Sequence, residues 1–472
     1  MDSAALFHAG TDPADAIAGS YFKQATAPRI DTDATVYHTI RSQHPGINVT
    51  TVSQYNANLR AYAAAGHAEV LTLEQKERSW PSTHKWTKYV PPTKRLDGGS
   101  GHLVEQIFFE KYLYRWKDFE FLVYFVKGYK NTYEEPSNQY ILGEEGPINS
   151  LISTIGIFTS LIHKEIWVFD NGWWAKDASL YESVMKSSWD DVILDRSLKE
   201  DLSGTIARFY NSREQYNKLR VPWKRGIIFY GPPGNGKTIS IKATMHSLYE
   251  RSPPVPTLYV KTLNSSAGPE YSISLIFEKA RREAPCFLVF EDLDSIVTDQ
   301  VRSFFLNAID GLAENEGILM VGSTNHLDRL DPGISKRPSR FDRKYLFPNP
   351  NFDQRAKYCH YWQKKLKDND DIDFPDKLCP AIAKITENFS FAYIQEAFVS
   401  ALLAIANARD TLVDGKDDMG RLQDKWEMLE MDDPEDTPID EDKDLEKYVL
   451  WRHIKVEIET LKKEISVGSE AV

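Results

Sequence analysis

Gly231-Pro-Pro-Gly-Asn-Gly-Lys237-Thr238 has the form G-x-x-x-x-G-K-[ST]. The apolar run Ile227-Ile228-Phe229-Tyr230 comes directly before it and reads as a buried parallel strand. Ile239 to Tyr249 come directly after it and read as a helix. A glycine-rich turn between a strand and a helix can aim successive backbone N–H groups at a phosphate. The helix start adds positive dipole character, and Lys237 adds a full charge. Gly231, Pro232, Pro233, Gly234, Asn235, Gly236, Lys237, Thr238 and Ile239 are therefore read together as a nucleotide-binding segment.

Working outward, apolar runs alternate with helical patterns. The runs Thr257–Leu263, Phe287–Phe290, Ile318–Ser323 and Lys344–Phe347 each read as a strand. This βα alternation predicts an α/β fold of the P-loop NTPase kind, a parallel sheet with helices on both faces, over about residues 188 to 348. From Asp353 to Arg409 only helical periodicity remains, so residues 349–410 read as a helical subdomain. Residues 411–472 read as an acidic linker, with Pro434 and Pro438, followed by an amphipathic helix over Leu445–Ile465. Upstream, residues 1–95 are polar and read as weakly ordered, with one helix near Gln54–Gly66. Residues 96–185 read as a smaller N-terminal α+β domain. Within it Phe119–Val126 is a strand, Tyr133–Pro147 a loop, and Ile166–Phe169 with Trp173-Trp174 a hairpin. The Asn171-Gly172 pair at the tip of that hairpin supplies the positive φ that a type I′ turn demands.

Two further signals carry chemistry. Phe287-Leu-Val-Phe-Glu291-Asp292-Leu-Asp294 is an apolar strand that ends in paired acids. A nucleotide-bound Mg²⁺ wants a hard oxygen ligand at such a strand tip, and hydrolysis wants a second carboxylate to orient the attacking water. The stretch Leu319–Pro332 then places Asn325 at the end of the next strand, where an amide could hold the water or the γ-phosphate. Arg337 and Arg340 follow on a short segment containing Pro338, and arginine suits the clamping of developing phosphate charge.

Together these segments resemble the AAA family of ATPases. The resemblance covers about residues 188 to 408. It rests on the phosphate loop, on Thr324-Asn-His-Leu-Asp-Arg-Leu-Asp-Pro332, and on Arg337-Pro-Ser-Arg-Phe-Asp342. It implies ATP and Mg²⁺ as cofactors. Lys237 would contact the β- and γ-phosphates, and Thr238 and Glu291 would hold the metal. Asp292 would activate water and Asn325 would sense the γ-phosphate. Arg337 and Arg340 would reach the ATP of a neighbouring copy in a ring, most often a hexamer in this family. Val192-Ile193 would line the adenine pocket, and the helical subdomain would act as a lid. A protein substrate, remodelled or translocated, is the implied target. Three departures stand out. The acids read Glu-Asp where most members read Asp-Glu. Asn264-Ser-Ser-Ala-Gly-Pro269 stands where an aromatic pore loop is usual, with Tyr271 already in the next helix. Phe391-Ala392 replaces the lid's Gly-Ala pair. The acid order, the changed loop and the segment Trp189–Asp195 are similar to the branch of the mitochondrial ATPase that translocates the folded Rieske protein, so a soluble, fungal-type relative is expected.

Composition narrows the alternatives. The 472 residues carry a net charge of −12, which disfavours a general nucleic-acid binder. Cys286, Cys359 and Cys379 lack metal-ligand spacing and are expected to be reduced thiols. The run Leu151–Ile162 is too short to span a bilayer, and the first residues lack a basic, apolar leader. A cytoplasmic location without a membrane span is therefore expected. The competing function is a nucleotide-dependent scaffold that binds ATP and hydrolyses little.

Overall fold

A computed structural model describes residues 32–72, 83–92, 100–127, 137–310, 315–337, 340–369, 372–413 and 444–469. They fall into two compact units that divide between Ile162 and His163.

The first unit is built on an antiparallel sheet. Its helices are α1 (Thr32–Gln43), α2 (Leu59–Ala64) and α3 (Glu145–Ser160). Its strands are β1 (Asn48–Ser53), β2 (Glu69–Thr72), β3 (Thr83–Val90), β4 (His102–Trp116), β5 (Phe119–Lys127) and β6 (Ser137–Gly143). The order is β1-β6-β5-β4-β2, and β3 also pairs with β4. Side chains alternate across a strand, and both faces of β5 are apolar. Phe121, Val123 and Phe125 pack with Ile148, Leu151 and Ile155 of α3, whereas Tyr124 and Val126 pack with Ile40 of α1. The sheet is thus covered on both faces.

Two expectations change here. Residues 32–72, expected to be weakly ordered, carry two helices and two strands, because Val49 and Leu59 find buried places against the sheet. The expected helix near Gln54–Gly66 shortens to α2, where the Asn58 side chain caps the N–H of Ala61. The expected loop Tyr133–Pro147 contains β6. This strand lies between β1 and β5, with Gln139, Tyr140, Ile141 and Leu142 all buried.

The second unit holds β7 (Ile166–Asp170), β8 (Trp173–Asp177), α4 (Ala178–Met185), α5 (Arg196–Asn211) and β9 (Arg225–Tyr230). There follow α6 (Lys237–Tyr249), β10 (Thr257–Val260), α7 (Pro269–Glu283), β11 (Cys286–Phe290), α8 (Asp299–Asp310), β12 (Ile318–Thr324) and β13 (Arg343–Leu346). The strand order is β13-β9-β12-β11-β10-β7-β8. Every pairing is parallel except that of the β7–β8 hairpin. The Asn171 and Gly172 φ angles of +51° and +93° make the tight turn expected of that pair.

The hairpin corrects the expected domain boundary at residue 185. Ile166 to Phe169 are buried, and β7 obtains its cover by pairing with β10 rather than by joining the antiparallel sheet. Residues 163–185 therefore belong to the second unit.

Four helices form a cluster beyond the sheet: α9 (Phe352–Lys365), α10 (Leu378–Ile385), α11 (Phe391–Val413) and α12 (Val449–Ser469). Trp362, Phe398, Trp451, Ile454 and Ile458 share one core there. The expected C-terminal helix is thus part of the helical subdomain. The acidic stretch at 414–443 lies outside the described residues. All three cysteines are free and buried.

Candidate nucleotide-binding site

The loop between β9 and α6 has the backbone that its glycines require. Gly231 has φ +136°, and a Cβ there would fall 2.3 Å from the Phe347 carbonyl oxygen. Gly234 has φ +75°, and its Cβ would fall 2.4 Å from that of Ala392. Both are positions where only glycine combines the backbone angle with the close approach. Asn235 is buried and donates from Nδ2 to Asn349 Oδ1 at 2.8 Å, tying the loop to the segment that leads into the helical subdomain.

Lys237 opens α6. Its Nζ donates to the carbonyl oxygens of Gly231 and Pro232 at 2.7 and 2.9 Å. Burial lowers its pKa, and the carboxylates of Asp292 and Asp294 act in the opposite direction. The ammonium is thus held at the loop it would serve, on weak neutral acceptors that an anion would displace. Thr238 and Ile239 follow with exposed side chains.

These groups open on a cavity of 460 Å³. Pro233, Gly234, Gly236, Lys237, Thr238 and Ile239 form one wall, and Glu291, Asp292, Ser323 and Asn325 from the ends of β11 and β12 form the second. Asp191, Val192 and Ile193 also line it, as do Tyr358, Phe391, Ala392 and Gln395 of α9 and α11. Parallel order places the C-terminal ends of β9, β11 and β12 side by side, which is why segments distant in the chain meet here. The replaced lid pair is in contact with the loop: the Ala392 N–H donates to the Gly234 carbonyl at 3.3 Å.

The acid pair is asymmetric. Glu291 accepts a hydrogen bond on Oε2 from the Tyr259 hydroxyl, while its buried Oε1 has no hydrogen-bond partner among the described residues. Asp292 sits at φ +49°, turning the chain sharply as it leaves β11, and its N–H donates to Ser323 Oγ at 3.3 Å. Asp294 accepts from Thr324 Oγ1 at 2.6 Å, so it is engaged in structure. An orphaned carboxylate oxygen is costly to bury. Glu291 lines one cavity with Thr238, and a carboxylate with a hydroxyl is a hard-oxygen set that fits Mg²⁺.

The two arginines part company. Arg340 is only 7% exposed and binds Asp310 through Nε and Nη2 at 2.9 and 2.7 Å, with Nη1 on the Gly333 carbonyl. Arg337 is 60% exposed and lies 3.6 Å from the same carboxylate. Neither lines the cavity. In the single chain the Arg340 guanidinium is thus engaged in an internal ion pair, whereas that of Arg337 is largely exposed.

The sequence-predicted Pro233, Gly234, Gly236, Lys237, Thr238, Ile239, Glu291, Asp292 and Asn325 thus converge on one cavity with Val192 and Ile193, whereas Gly231, Pro232 and Asn235 do not line it. Reading the sequence missed Ser323, Tyr358, Gln395 and Tyr259. Ser323 was within reach of it, standing two residues before Asn325 on a predicted strand. Tyr358 and Gln395 sit on amphipathic helices with no local mark.

A parallel sheet with a phosphate loop after one strand and acids after another defines a P-loop nucleotide-binding fold. Residues 227–349 match the ATPase family associated with various cellular activities (AAA). The chain is 31% identical over 228 residues to a protein carrying the name cell division cycle ATPase from Plasmodium falciparum, covering 46% of this chain and 18% of the relative. It is 29% identical over 244 residues to the ATPase family gene 2 protein of Schizosaccharomyces pombe, covering 48% and 29%. With the peroxisomal ATPase PEX6 of Candida glabrata it shares 30% identity over 248 residues, covering 49% and 24%. The chain thus spans less than a third of the length of these relatives.

Proposed function

We propose that this chain binds ATP with Mg²⁺ in the cavity beside α6, hydrolyses it, and uses the cycle within a ring of copies, six being commonest in the family, to remodel or translocate a protein substrate. The observation that carries the reading is the convergence of Lys237, Thr238, Glu291, Asp292 and Asn325 on one cavity. In this reading the loop N–H groups and Lys237 hold the β- and γ-phosphates. Thr238 and Glu291 hold the metal, which neutralises charge on the phosphate oxygens. Asp292 takes a proton from the attacking water, and Asn325 orients that water. Val192, Ile193, Tyr358 and Phe391 enclose the base. Arg337, exposed and away from its own cavity, is the group placed to reach a neighbour's nucleotide; Arg340 and Asp310 hold the segment that presents it.

The Glu-Asp order and the altered loop at Asn264–Pro269 support a place near the Rieske-translocating branch, with a substrate of its own. Among the described residues, no helix is long and apolar enough to cross a membrane. The scaffold reading has one observation in its favour, that Asp292 is one methylene shorter than the glutamate usual at its position. Hydrolysis by the purified chain over a concentration series, with light scattering on the same samples, separates the two. Specific activity that rises with assembly supports the ring ATPase. ATP binding without turnover at any concentration would leave the scaffold.

A further inference from the structure

The Tyr259 hydroxyl donates a hydrogen bond to Oε2 of the Glu291 carboxylate. Tyr259 is on β10, in register with Val289 of β11, two residues before Glu291. Its ring lines a second cavity, of 530 Å³, on which Glu291 and Asp292 also border, and it does not line the nucleotide cavity. The phenol therefore approaches Glu291 from outside the phosphate-facing wall. It occupies Oε2 and leaves Oε1 buried and unpartnered.

We infer that Tyr259 is a positioning residue that pins the longer acid of the reversed pair, fixing Glu291 so that its free oxygen faces the metal position. The inference rests on the proposed nucleotide site. A glutamate has one more rotatable bond than the aspartate usual at this place, so its carboxylate has more positions to choose from. A hydrogen bond to one oxygen removes that freedom without taking the second oxygen from the metal. Partners behind metal-ligating carboxylates act in this way generally, orienting the ligand and tuning its basicity. The phenol stays a donor throughout: burial raises its pKa, and the adjacent Glu291 carboxylate raises it further.

The test uses the full chain with Tyr259→Phe, which keeps the ring and removes only the hydroxyl. Two quantities are read: the ratio of affinities for a fluorescent ADP in Mg²⁺ and in EDTA, and Mn²⁺ binding to the ADP-loaded protein by electron paramagnetic resonance. Removing such a partner costs about tenfold or more in metal affinity. The expected result is a drop of about that size in Mn²⁺ affinity, with ADP affinity in EDTA unchanged. In a Glu291→Asp background the same Tyr259→Phe change is expected to have little effect, since the shorter acid does not reach the phenol. Unchanged Mn²⁺ affinity overturns the inference, and so does an equal loss in both backgrounds, which marks a merely structural ring. If the unsubstituted chain binds no nucleotide, the proposed site itself fails and the inference falls with it; binding without response to Tyr259→Phe defeats the inference alone.

Discussion

Lys237 and Gly234 make the sharpest claims at the scale of single residues. With Lys237 already resting on two loop carbonyls, its replacement removes the charge without freeing a buried partner that needs one. Lys237→Ala is expected to keep the fold and to abolish measurable ATP binding in a filter or calorimetric assay. Asp292→Asn is expected to retain binding and lower turnover by at least about 100-fold, the usual worth of a general base. Gly234→Ala acts on shape instead. The added methyl would lie 2.4 Å from the Ala392 Cβ, on a backbone at φ +75°. Crowding of this kind costs about 1–3 kcal/mol, so nucleotide affinity should fall by about tenfold as the lid is pushed outward. A Gly234→Ala variant with unchanged affinity would show that α11 is free to move away. The loop glycines, Lys237 and the acid pair were legible in the sequence because the chemistry needs those residues at a fixed spacing. Tyr259 was not, because its partnership with Glu291 crosses two strands and a tyrosine in a strand is an ordinary core residue. The ion pair of Arg340 was hidden for the same kind of reason. Nothing near it in the chain announces that Asp310, thirty residues upstream, takes its guanidinium.

At the scale of elements, the strands of the second sheet were legible because each is a short apolar run between helical patterns. The β7–β8 hairpin was recognised as a hairpin but assigned to the wrong unit. Its local signals are the turn pair Asn171-Gly172 and a buried run, and neither says which sheet edge will cover the run. That is decided by β10 in space. The strand β6 was hidden by Pro and Gly residues nearby in the sequence, which are turn-formers by propensity, although four of its own residues are buried. Helix α12 gives the testable case. Expected as a separate terminal element, it packs along α11, and Trp451 is 1% exposed at the centre of the shared core. Removing a buried tryptophan costs about 3–5 kcal/mol. Trp451→Ala should therefore loosen the helical subdomain, seen as faster amide hydrogen exchange over α9, α10 and α11. Protection of the β9–β12 strands should persist, because their core is a separate cluster. Equal loss of protection across both would show that sheet and helices unfold as one.

At the scale of the whole molecule the question is whether copies complete each other's sites. Arg337 is exposed, lies 3.6 Å from Asp310, and does not line its own cavity. Arg340 is buried on that same carboxylate. The two arginines should therefore fail differently. Arg340→Ala leaves Asp310 without its main partner and should lower stability, on the order of 2–3 kcal/mol given that the Asp310 side chain is 30% exposed. Arg337→Ala should leave the melting temperature unchanged and cut turnover by up to about 10³-fold, the range for an arginine supplied to a phosphoryl-transfer site. Mixing then asks where Arg337 acts. A Lys237→Ala copy binds no nucleotide but still presents Arg337, and an Arg337→Ala copy has an intact pocket but presents nothing. Each is expected to be silent alone. If the arginine acts across an interface, a mixture regains turnover, because Arg337→Ala pockets next to Lys237→Ala neighbours are complete. Recovery should rise with total protein concentration, as assembly does. A mixture as silent as its components, under conditions where light scattering shows joint assembly, would rule out action of Arg337 across the interface.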